Sequence, residues 1–147
     1  MNFGIVPPTM RRVAEINNLL RQLSEHSKLS SKKKINKILA QKNFHFLTVK
    51  DTSISEKDAP IIGMACVYFQ DTLSGFKGYI DDVVVDESYR GQGLGARLVQ
   101  CLINLAKQKK AKQIDLTSAP KRKAANALYR KLGFKLRKTN IYRLILK

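Results

Sequence analysis

The spacing of apolar residues along the chain predicts helices and strands in a mixed order. A short strand is expected over residues 2–6, ended by two prolines. Thr9 is a suitable N-cap for a first helix, and Ser30 or Ser31 for a second. The apolar residues that recur at helical spacing in these helices are Met10, Val13, Ile16, Leu19, Leu20 and Leu23, then Ile35, Ile38 and Leu39.

Strand-like runs fill the middle of the chain, and a long helical pattern follows them. The elements predicted after the second helix are strands at 44–49, 61–69 and 76–85, a helix at 94–110, a strand at 113–117, a helix at 121–132 closed by Gly133, and strands at 134–137 and 141–146. The order β-α-α-β-β-β-α-β-α-β-β indicates an α/β (α+β mixed) protein in which meander strands precede a βαβ unit.

Length and composition are those of one folded domain. With 147 residues, a single domain over residues 1–147 is expected. The chain is 44% hydrophobic and 27% charged, which is typical of a soluble protein. No apolar run reaches the roughly 18 residues of a membrane span, and we see no secretory signal. Cys66 and Cys101 lack a disulfide framework, which indicates reduced, buried thiols in a cytoplasmic protein.

The positive charge is concentrated in the C-terminal part of the chain. The formal net charge is +17, yet residues 1–89 hold 12 Lys and Arg against 10 Asp and Glu. Residues 90–147 hold 16 Lys and Arg against Asp115 alone. Such a field attracts polyanions, so a phosphorylated cofactor, a phosphorylated substrate or RNA would fit. A solvated basic surface that aids solubility is the simpler explanation of much of this excess.

A glycine-rich turn between a strand and a helix is the strongest chemical signal. The β-branched run Val83, Val84 and Val85 stops, a polar turn follows, and glycines alternate into a long helical pattern from Leu94. The free N–H groups of a helix start, together with the helix dipole, bind phosphate. Glycine lets a ligand approach the backbone without meeting a Cβ. The turn therefore predicts a phosphate site.

Two common phosphate motifs fit this turn poorly. A P-loop needs Lys followed by Ser or Thr after its last glycine, whereas Ala96 and Arg97 stand here. The run 91–96 matches the dinucleotide pattern G-x-G-x-x-A, and Asp115 lies about where a ribose-binding acid would be. However, five polar or turn residues separate the strand from the glycines, and the remaining chain is too short for a doubly wound sheet.

The segment Arg90-Gly91-Gln92-Gly93-Leu94-Gly95 resembles the acetyl-CoA signature Q/R-x-x-G-x-G/A of the GNAT superfamily of N-acetyltransferases. Residues 124–134 resemble the family's later helix, which ends in L-Y-x-x-x-G-F. The resemblance implies a GNAT fold with a central mixed, mostly antiparallel sheet that is splayed at the fourth strand. It also implies acetyl-CoA as co-substrate and direct transfer of acetyl to a primary amine, without a covalent enzyme intermediate.

The resemblance assigns roles along the turn. The pantetheine arm would lie against the backbone of Val83, Val84 and Val85, and a backbone N–H there would polarise the thioester carbonyl. The residues that would bind the remaining cofactor, with the pyrophosphate cradled by the backbone of 91–96, are Arg90, Gly91, Gln92, Gly93, Leu94, Gly95 and Ala96.

Tyr129 matches the tyrosine that serves as general acid in this family, donating a proton to the leaving thiolate. For the base, Asp81 aligns with the family's acidic position, while Asp82 or water are the alternatives. Strand alternation sends the two carboxylates to opposite faces, and a bulge would reverse which one faces the site.

The later helix departs from the common family pattern. Many members carry Asn seven residues before the tyrosine, where this chain has Arg122, and Asn126 lies three residues before Tyr129. Helical spacing puts these three on one face, so Asn126 would reach the pantetheine arm and Arg122 a phosphate or carbonyl. A solvated surface charge is an equal alternative for Arg122.

The acceptor amine is not identified by the sequence. The string of residues 80–85 resembles amino-sugar-phosphate acetyltransferases, but it is short. The net charge disfavours cationic acceptors unless an acidic pocket forms locally. A non-catalytic module of the same fold that binds RNA or another polyanion is the alternative function. His26 and His45 have no partner pattern, so no metal site is expected, and a monomer or a homodimer is compatible with the sequence.

Overall fold

The computed structural model describes residues 2–4, 10–24, 28–53 and 58–146. His26 lies outside the described residues. The strands and helices found in the described ranges are β1 Asn2–Gly4, α1 Met10–Leu23, α2 Lys32–Leu39, β2 Phe44–Lys50, β3 Ile61–Thr72, β4 Gly75–Val85, α3 Leu94–Gln108, β5 Gln113–Asp115 and α4 Lys123–Lys131, with a 3-10 turn at Glu87–Tyr89 between β4 and α3.

The strands form one mixed sheet in the order β1-β2-β3-β4-β5. Every neighbouring pair from β1 to β4 is antiparallel, and β5 joins β4 in parallel. The parallel pairing covers only Lys77 to Tyr79 on β4, opposite Gln113 to Asp115. Because β4 continues to Val85, its last six residues run past the end of β5. The predicted mixed, mostly antiparallel sheet with a splayed fourth strand is therefore confirmed.

Helices cover both faces of the sheet. Met64 packs in a core cluster with Ile16 of α1 and Ile35 of α2. A Cβ added at the neighbouring Gly63 would lie 3.4 Å from Leu98 of α3. Since consecutive strand residues face opposite sides, α1 and α2 lie on one face and α3 on the other. This arrangement explains why β3 is buried without interruption from Ile61 to Val67.

The chain divides into two compact units, one up to Thr117 and one from Ser118. The first contains the sheet, α1, α2 and α3, and the second contains α4. No helix among the described residues is long and apolar enough to cross a membrane. Cys66 and Cys101 are both free thiols, Cys66 buried and Cys101 half-buried.

The segment that follows α4 differs from the sequence-based prediction. Residues 134–146 contain no strand, so the two strands predicted at 134–137 and 141–146 are not seen there. Strand propensity requires a partner edge that supplies hydrogen bonds, and none pairs with this segment in the described sheet. Its large apolar side chains are exposed: Leu136, Ile141, Tyr142, Leu144, Ile145 and Leu146.

Candidate active site at the β4–α3 turn

Two glycines of the β4–α3 turn, Gly91 and Gly93, are needed for their backbone conformation and not because a side chain would collide with a neighbour. Gly91 and Gly93 have φ values of +78° and +75°, in the left-handed region that favours glycine. A Cβ built on either one meets no atom of the described residues within 4 Å. The space beside both residues is therefore open, and a ligand can approach the bare backbone.

The start of α3 leaves hydrogen-bond donors free for an anion. The first helical bond runs from the N–H of Arg97 to the carbonyl of Gly93, at 3.1 Å. Gly93 is the N-cap and provides no side-chain bond. The N–H groups of the first helical turn consequently lack intrahelical partners, and the dipole favours negative charge at this end. This geometry suits a pyrophosphate.

Long-range hydrogen bonds hold the turn in place. The amide of Gln22 on α1 donates to a carboxylate oxygen of Asp86 at 2.9 Å and accepts from the N–H of Glu87 at 2.9 Å. The hydrogen bond from Gln22 is the main reason that the pKa of Asp86 is lowered. The Nε of Arg90 donates to the carbonyl of Val85 at 3.1 Å, so its side chain closes the turn back onto the end of β4.

A second hydrogen bond ties the turn to the end of β2, which pairs with β3 on the side opposite β4. The Tyr89 hydroxyl donates a 2.7 Å hydrogen bond to Asp51, which follows β2. The other oxygen of Asp51 accepts from the backbone N–H and the hydroxyl of Ser53. Hydrogen bonds from Ser53 and then Tyr89 lower the pKa of Asp51, and the bond to Asp51 raises the pKa of Tyr89.

The three anchoring residues Gln22, Asp51 and Tyr89 were not identified from the sequence. They lie in different elements, and Tyr89 is 38 residues from its partner. No periodicity or motif connects them. Only the folded sheet brings their side chains to the turn.

A β-bulge stands where the candidate base lies. Cys66 pairs with Asp81 and Met64 with Val84, so β4 carries one more residue than β3 between these pairs. Asp82 takes up the extra length with φ at +51°, a conformation that Asp tolerates better than most residues. The bulge raised as a possibility from the sequence is therefore present, and it sets the directions of both carboxylates.

The two carboxylates have different surroundings. Asp81 is exposed, and its Oδ1 accepts from the N–H of Asp82 at 3.0 Å. Asp82 is half-buried beside Cys66, whose Sγ lies 3.9 Å from its Oδ2. Burial, followed by the charge of Asp81, raises the pKa of Asp82. Burial also raises the pKa of the Cys66 thiol, which makes this cysteine a packing residue and not a nucleophile.

Asp82 also lines a cavity of about 60 Å³ between the sheet and the helices α1 and α2. The other lining residues are mainly apolar: Ile16, Leu20, Ser30, Ile35, Ile38, Leu39, Phe44, Phe46 and Met64. Asp82 therefore faces the mainly apolar space between the sheet and these two helices. Asp81 is the exposed one of the two carboxylates.

The three valines that precede the turn lie on the part of β4 that runs past the end of β5. Val84 is buried with the core on the α1 face, while Val83 and Val85 are half-buried. β5 ends opposite Tyr79, so it pairs with none of the three. Their backbone edge on that side is available to an extended ligand, while their side chains pack.

In the second unit, the residues around Tyr129 form the C-terminal cap of α4. The N–H of Phe134 donates to the carbonyl of Tyr129 and that of Gly133 to Arg130, both at 3.0 Å. Gly133 has φ at +93°, which completes a Schellman motif. The rings of Tyr129 and Phe134 meet edge to face at 5.9 Å. The predicted C′ role of Gly133 is confirmed, and the motif holds Tyr129 in a buried position.

The two other predicted residues near α4 have structural contacts. Arg122 is the N-cap, so it precedes the helix and does not lie on a helical face with Tyr129. Asn126 donates from its side-chain amide to the carbonyl of Ala119 at 2.9 Å, which closes the loop before α4. Both side chains are half-buried. The oxygen of the Asn126 amide is not used in that bond.

Comparison with known proteins identifies the family of the chain. Residues 13–134 match the model of the acetyltransferase (GNAT) family. Thialysine N-epsilon-acetyltransferase from Bos taurus is 30% identical over 128 residues, covering 80% of this chain and 75% of the relative. Glucosamine 6-phosphate N-acetyltransferase from Trypanosoma brucei brucei is 43% identical over 58 residues, covering 40% and 37%. A solved Trypanosoma brucei acetyltransferase is 26% identical with a TM-score of 0.77, covering 99% of this chain and all of that chain.

The fold is similar to that of a solved acetyltransferase. The chain belongs to the GNAT family of acetyltransferases. It is an N-acetyltransferase, and acetyl-CoA is the co-substrate of this family.

Proposed function

We propose that this protein transfers the acetyl group of acetyl-CoA directly to a primary amine of an acceptor, with no covalent enzyme intermediate. The observation that carries the proposal is the β4–α3 turn, where two left-handed glycines and the open start of α3 follow a strand that runs past β5. Acetyl-CoA is an extended nucleotide thioester. A helix start binds its phosphates, and an unpaired strand edge binds its extended arm.

The proposed cofactor contacts are those that the family resemblance implies, residue by residue. The backbone of Val83, Val84 and Val85 binds the pantetheine arm, and a backbone N–H near Val83 polarises the thioester carbonyl. Asn126 contacts the arm, and Arg122 contacts a phosphate or a carbonyl. Arg90 also binds the cofactor. The residues whose backbone cradles the pyrophosphate are Gly91, Gln92, Gly93, Leu94, Gly95 and Ala96.

The proposed chemistry needs one base and one acid. Acetyl-CoA supplies the acetyl thioester that the acceptor amine attacks. Asp81 takes the proton of the ammonium, directly or through water, because it is the exposed carboxylate at the bulge. Tyr129 donates a proton to the departing thiolate, the general-acid role of a tyrosine phenol. No protein nucleophile is used, in keeping with the raised pKa of the buried Cys66 thiol.

The acceptor is an amine-bearing molecule. Thialysine N-epsilon-acetyltransferase and glucosamine 6-phosphate N-acetyltransferase, to which this chain is similar, are named for acceptors that carry a primary amine. These two names differ in chemistry, so they support an amine acceptor in general.

We also propose that residues 1–147 work as one domain in the cytoplasm, as a monomer or a homodimer. The matched family model spans both compact units, which supports a single functional domain. Two free thiols support a reducing compartment. The exposed apolar side chains between Leu136 and Leu146 are the surface through which a second copy would bind.

The test is release of free thiol from acetyl-CoA in the presence of a panel of primary amines. Amine-dependent release, with acetylated product found by mass spectrometry, is the expected result. The net charge of +17 makes a polyanion-binding module the rival function. Steeply salt-dependent binding to generic RNA, with no thiol release for any amine, would favour that rival.

A further inference from the structure

A second cavity lies on the sheet face that carries Asp81. It has a volume of about 150 Å³ and lies over β3, β4 and β5. The lining residues are Tyr68, Gln70, Lys77, Gly78, Tyr79 and Asp115. None of these residues takes part in the cofactor site proposed above.

The strand register arranges one row of side chains across this cavity. Tyr68 of β3 pairs with Tyr79 of β4, and Tyr79 pairs with Asp115 of β5. The two rings stack at 5.3 Å, and the Tyr79 hydroxyl donates to Thr117 at 2.9 Å. Since paired residues lie side by side on one face, two aromatic rings and a carboxylate form a continuous surface.

The neighbouring row adds a cation. Lys77 of β4 pairs with Gln70 on one side and with Gln113 on the other. The amide of Gln113 donates to Asp115 at 2.8 Å and so fixes that carboxylate. Among the ion pairs of the described residues, none includes Lys77 or Asp115. One cavity therefore presents an ammonium and a carboxylate that are not paired with each other.

The third row contains Asp81, two residues along β4 from Tyr79. At a strand rise of about 3.3 Å per residue, this carboxylate lies ~7 Å along the strand from the row of Tyr79 and Asp115. β5 does not reach this row, which leaves the strand edge beside Asp81 open. A molecule held in the cavity by one end can thus place its other end at the bulge.

We propose that this cavity binds the α-ammonium and α-carboxylate of a free amino acid whose side chain ends in a primary amine. This inference rests on the proposed function, since the terminal amine is the acetylated group. Asp115 binds the α-ammonium and Lys77 the α-carboxylate. The rings of Tyr68 and Tyr79 pack against the apolar part of the side chain, and Asp81 receives the terminal amine.

Charge and size both favour this class of acceptor. An amino acid with a side-chain amine carries one net positive charge fewer than the corresponding diamine, so the strongly basic chain repels it less. A cavity of about 150 Å³ accommodates a small molecule rather than a folded protein. A lysine side chain within a peptide has neither a free α-ammonium nor a free α-carboxylate, so it lacks both of the proposed contacts.

The test compares acetyl transfer to L-lysine, 1,5-diaminopentane and 6-aminohexanoate. The second lacks the carboxylate that Lys77 binds, and the third lacks the α-ammonium that Asp115 binds. We expect kcat/KM for L-lysine to exceed both by roughly tenfold or more, as for loss of a hydrogen bond between charged groups. Lys77→Met should remove the preference over 1,5-diaminopentane, and Asp115→Asn the preference over 6-aminohexanoate. Lys107→Met, an exposed lysine on α3, should leave both preferences unchanged.

If a variant fails to fold, the order of kcat/KM for the three amines with the wild-type protein still tests the inference. Equal kcat/KM for the three amines would overturn the amino-acid site while leaving acetyl transfer established. Preferences that are unaffected by both cavity variants would overturn it as well. If no amine releases thiol, the proposed function itself fails, and the two failures are thereby distinguished.

Discussion

Tyr89 and Asp51 are joined by a 2.7 Å hydrogen bond between the β4–α3 turn and the residue that follows β2. The turn is otherwise tied to α1 through Gln22 and to β4 through Arg90. The glycines that follow have no packing neighbours at the Cβ position, so these bonds fix where the turn lies. Gln22, Asp51 and Tyr89 therefore hold in place the backbone of the turn that we propose as the pyrophosphate site.

Tyr89→Phe removes this anchor without changing the shape of the ring. We expect the Kd for acetyl-CoA to rise about fivefold, because the turn becomes less ordered before binding. Titration calorimetry measures the change. Tyr142→Phe, at an exposed tyrosine in the C-terminal segment, is the matched control and should bind like the wild type. An unchanged Kd for the Tyr89 variant would show that the anchor does not organise the turn.

Comparison of Gly93→Ala with Gly133→Ala separates the effect of backbone strain on stability from the effect of an added methyl group on acetyl-CoA binding. Both glycines have positive φ and open space at the Cβ position, so each change should lower the free energy of unfolding by about 1 kcal/mol. Only the Gly93 variant should also bind acetyl-CoA more weakly, because only its methyl group stands where the pyrophosphate approaches. Denaturant unfolding gives the first quantity and calorimetry the second. Equal effects of the two variants on binding would contradict the proposed pyrophosphate site.

The ionised form of Asp82 should reduce the stability of the fold. Burial and the charge of Asp81 raise its pKa in the folded state above the ordinary 3.8. The free energy of unfolding should therefore fall as the pH rises from 3.8 through the raised value. Asp82→Asn should be more stabilising at pH 7 than at pH 4, and Asn suits the left-handed backbone at this position. Urea unfolding of this variant and of the wild type at both pH values tests the difference; an equal effect of the substitution at pH 4 and pH 7 would refute it.

Tyr129→Phe tests the proposed general acid. Removal of the hydroxyl should lower kcat by about a hundredfold or more, as for loss of acid catalysis, with little change in the Kd for acetyl-CoA. The ring contact with Phe134 is kept in this variant, so the C-terminal cap of α4 should persist. If the variant acetylates an acceptor with the wild-type kcat, Tyr129 is not the general acid.

The sequence predicted the elements whose signals are local. The glycine turn, the amphipathic α3 and the C-terminal cap of α4 at Gly133 each depend on residues close together in the chain, and the structure has all three. The GNAT resemblance rested on two such local motifs, and the family match confirms it.

Features that depend on pairing were not predictable in the same way. The bulge at Asp82 arises from the register between β3 and β4, and no local pattern contains that register. The segment 141–146 has the composition of a strand, yet a strand forms only where an edge accepts it. The row of Tyr68, Tyr79 and Asp115 joins three strands and becomes visible only in the sheet.

The most direct test of the central claim is titration of the purified protein with acetyl-CoA in a calorimeter. The account predicts saturable binding at micromolar concentration with one site per chain, weakened by Gly93→Ala and not by Gly133→Ala. Absence of binding at these concentrations, by a protein shown to be folded, would contradict the assignment of the β4–α3 turn as an acetyl-CoA site.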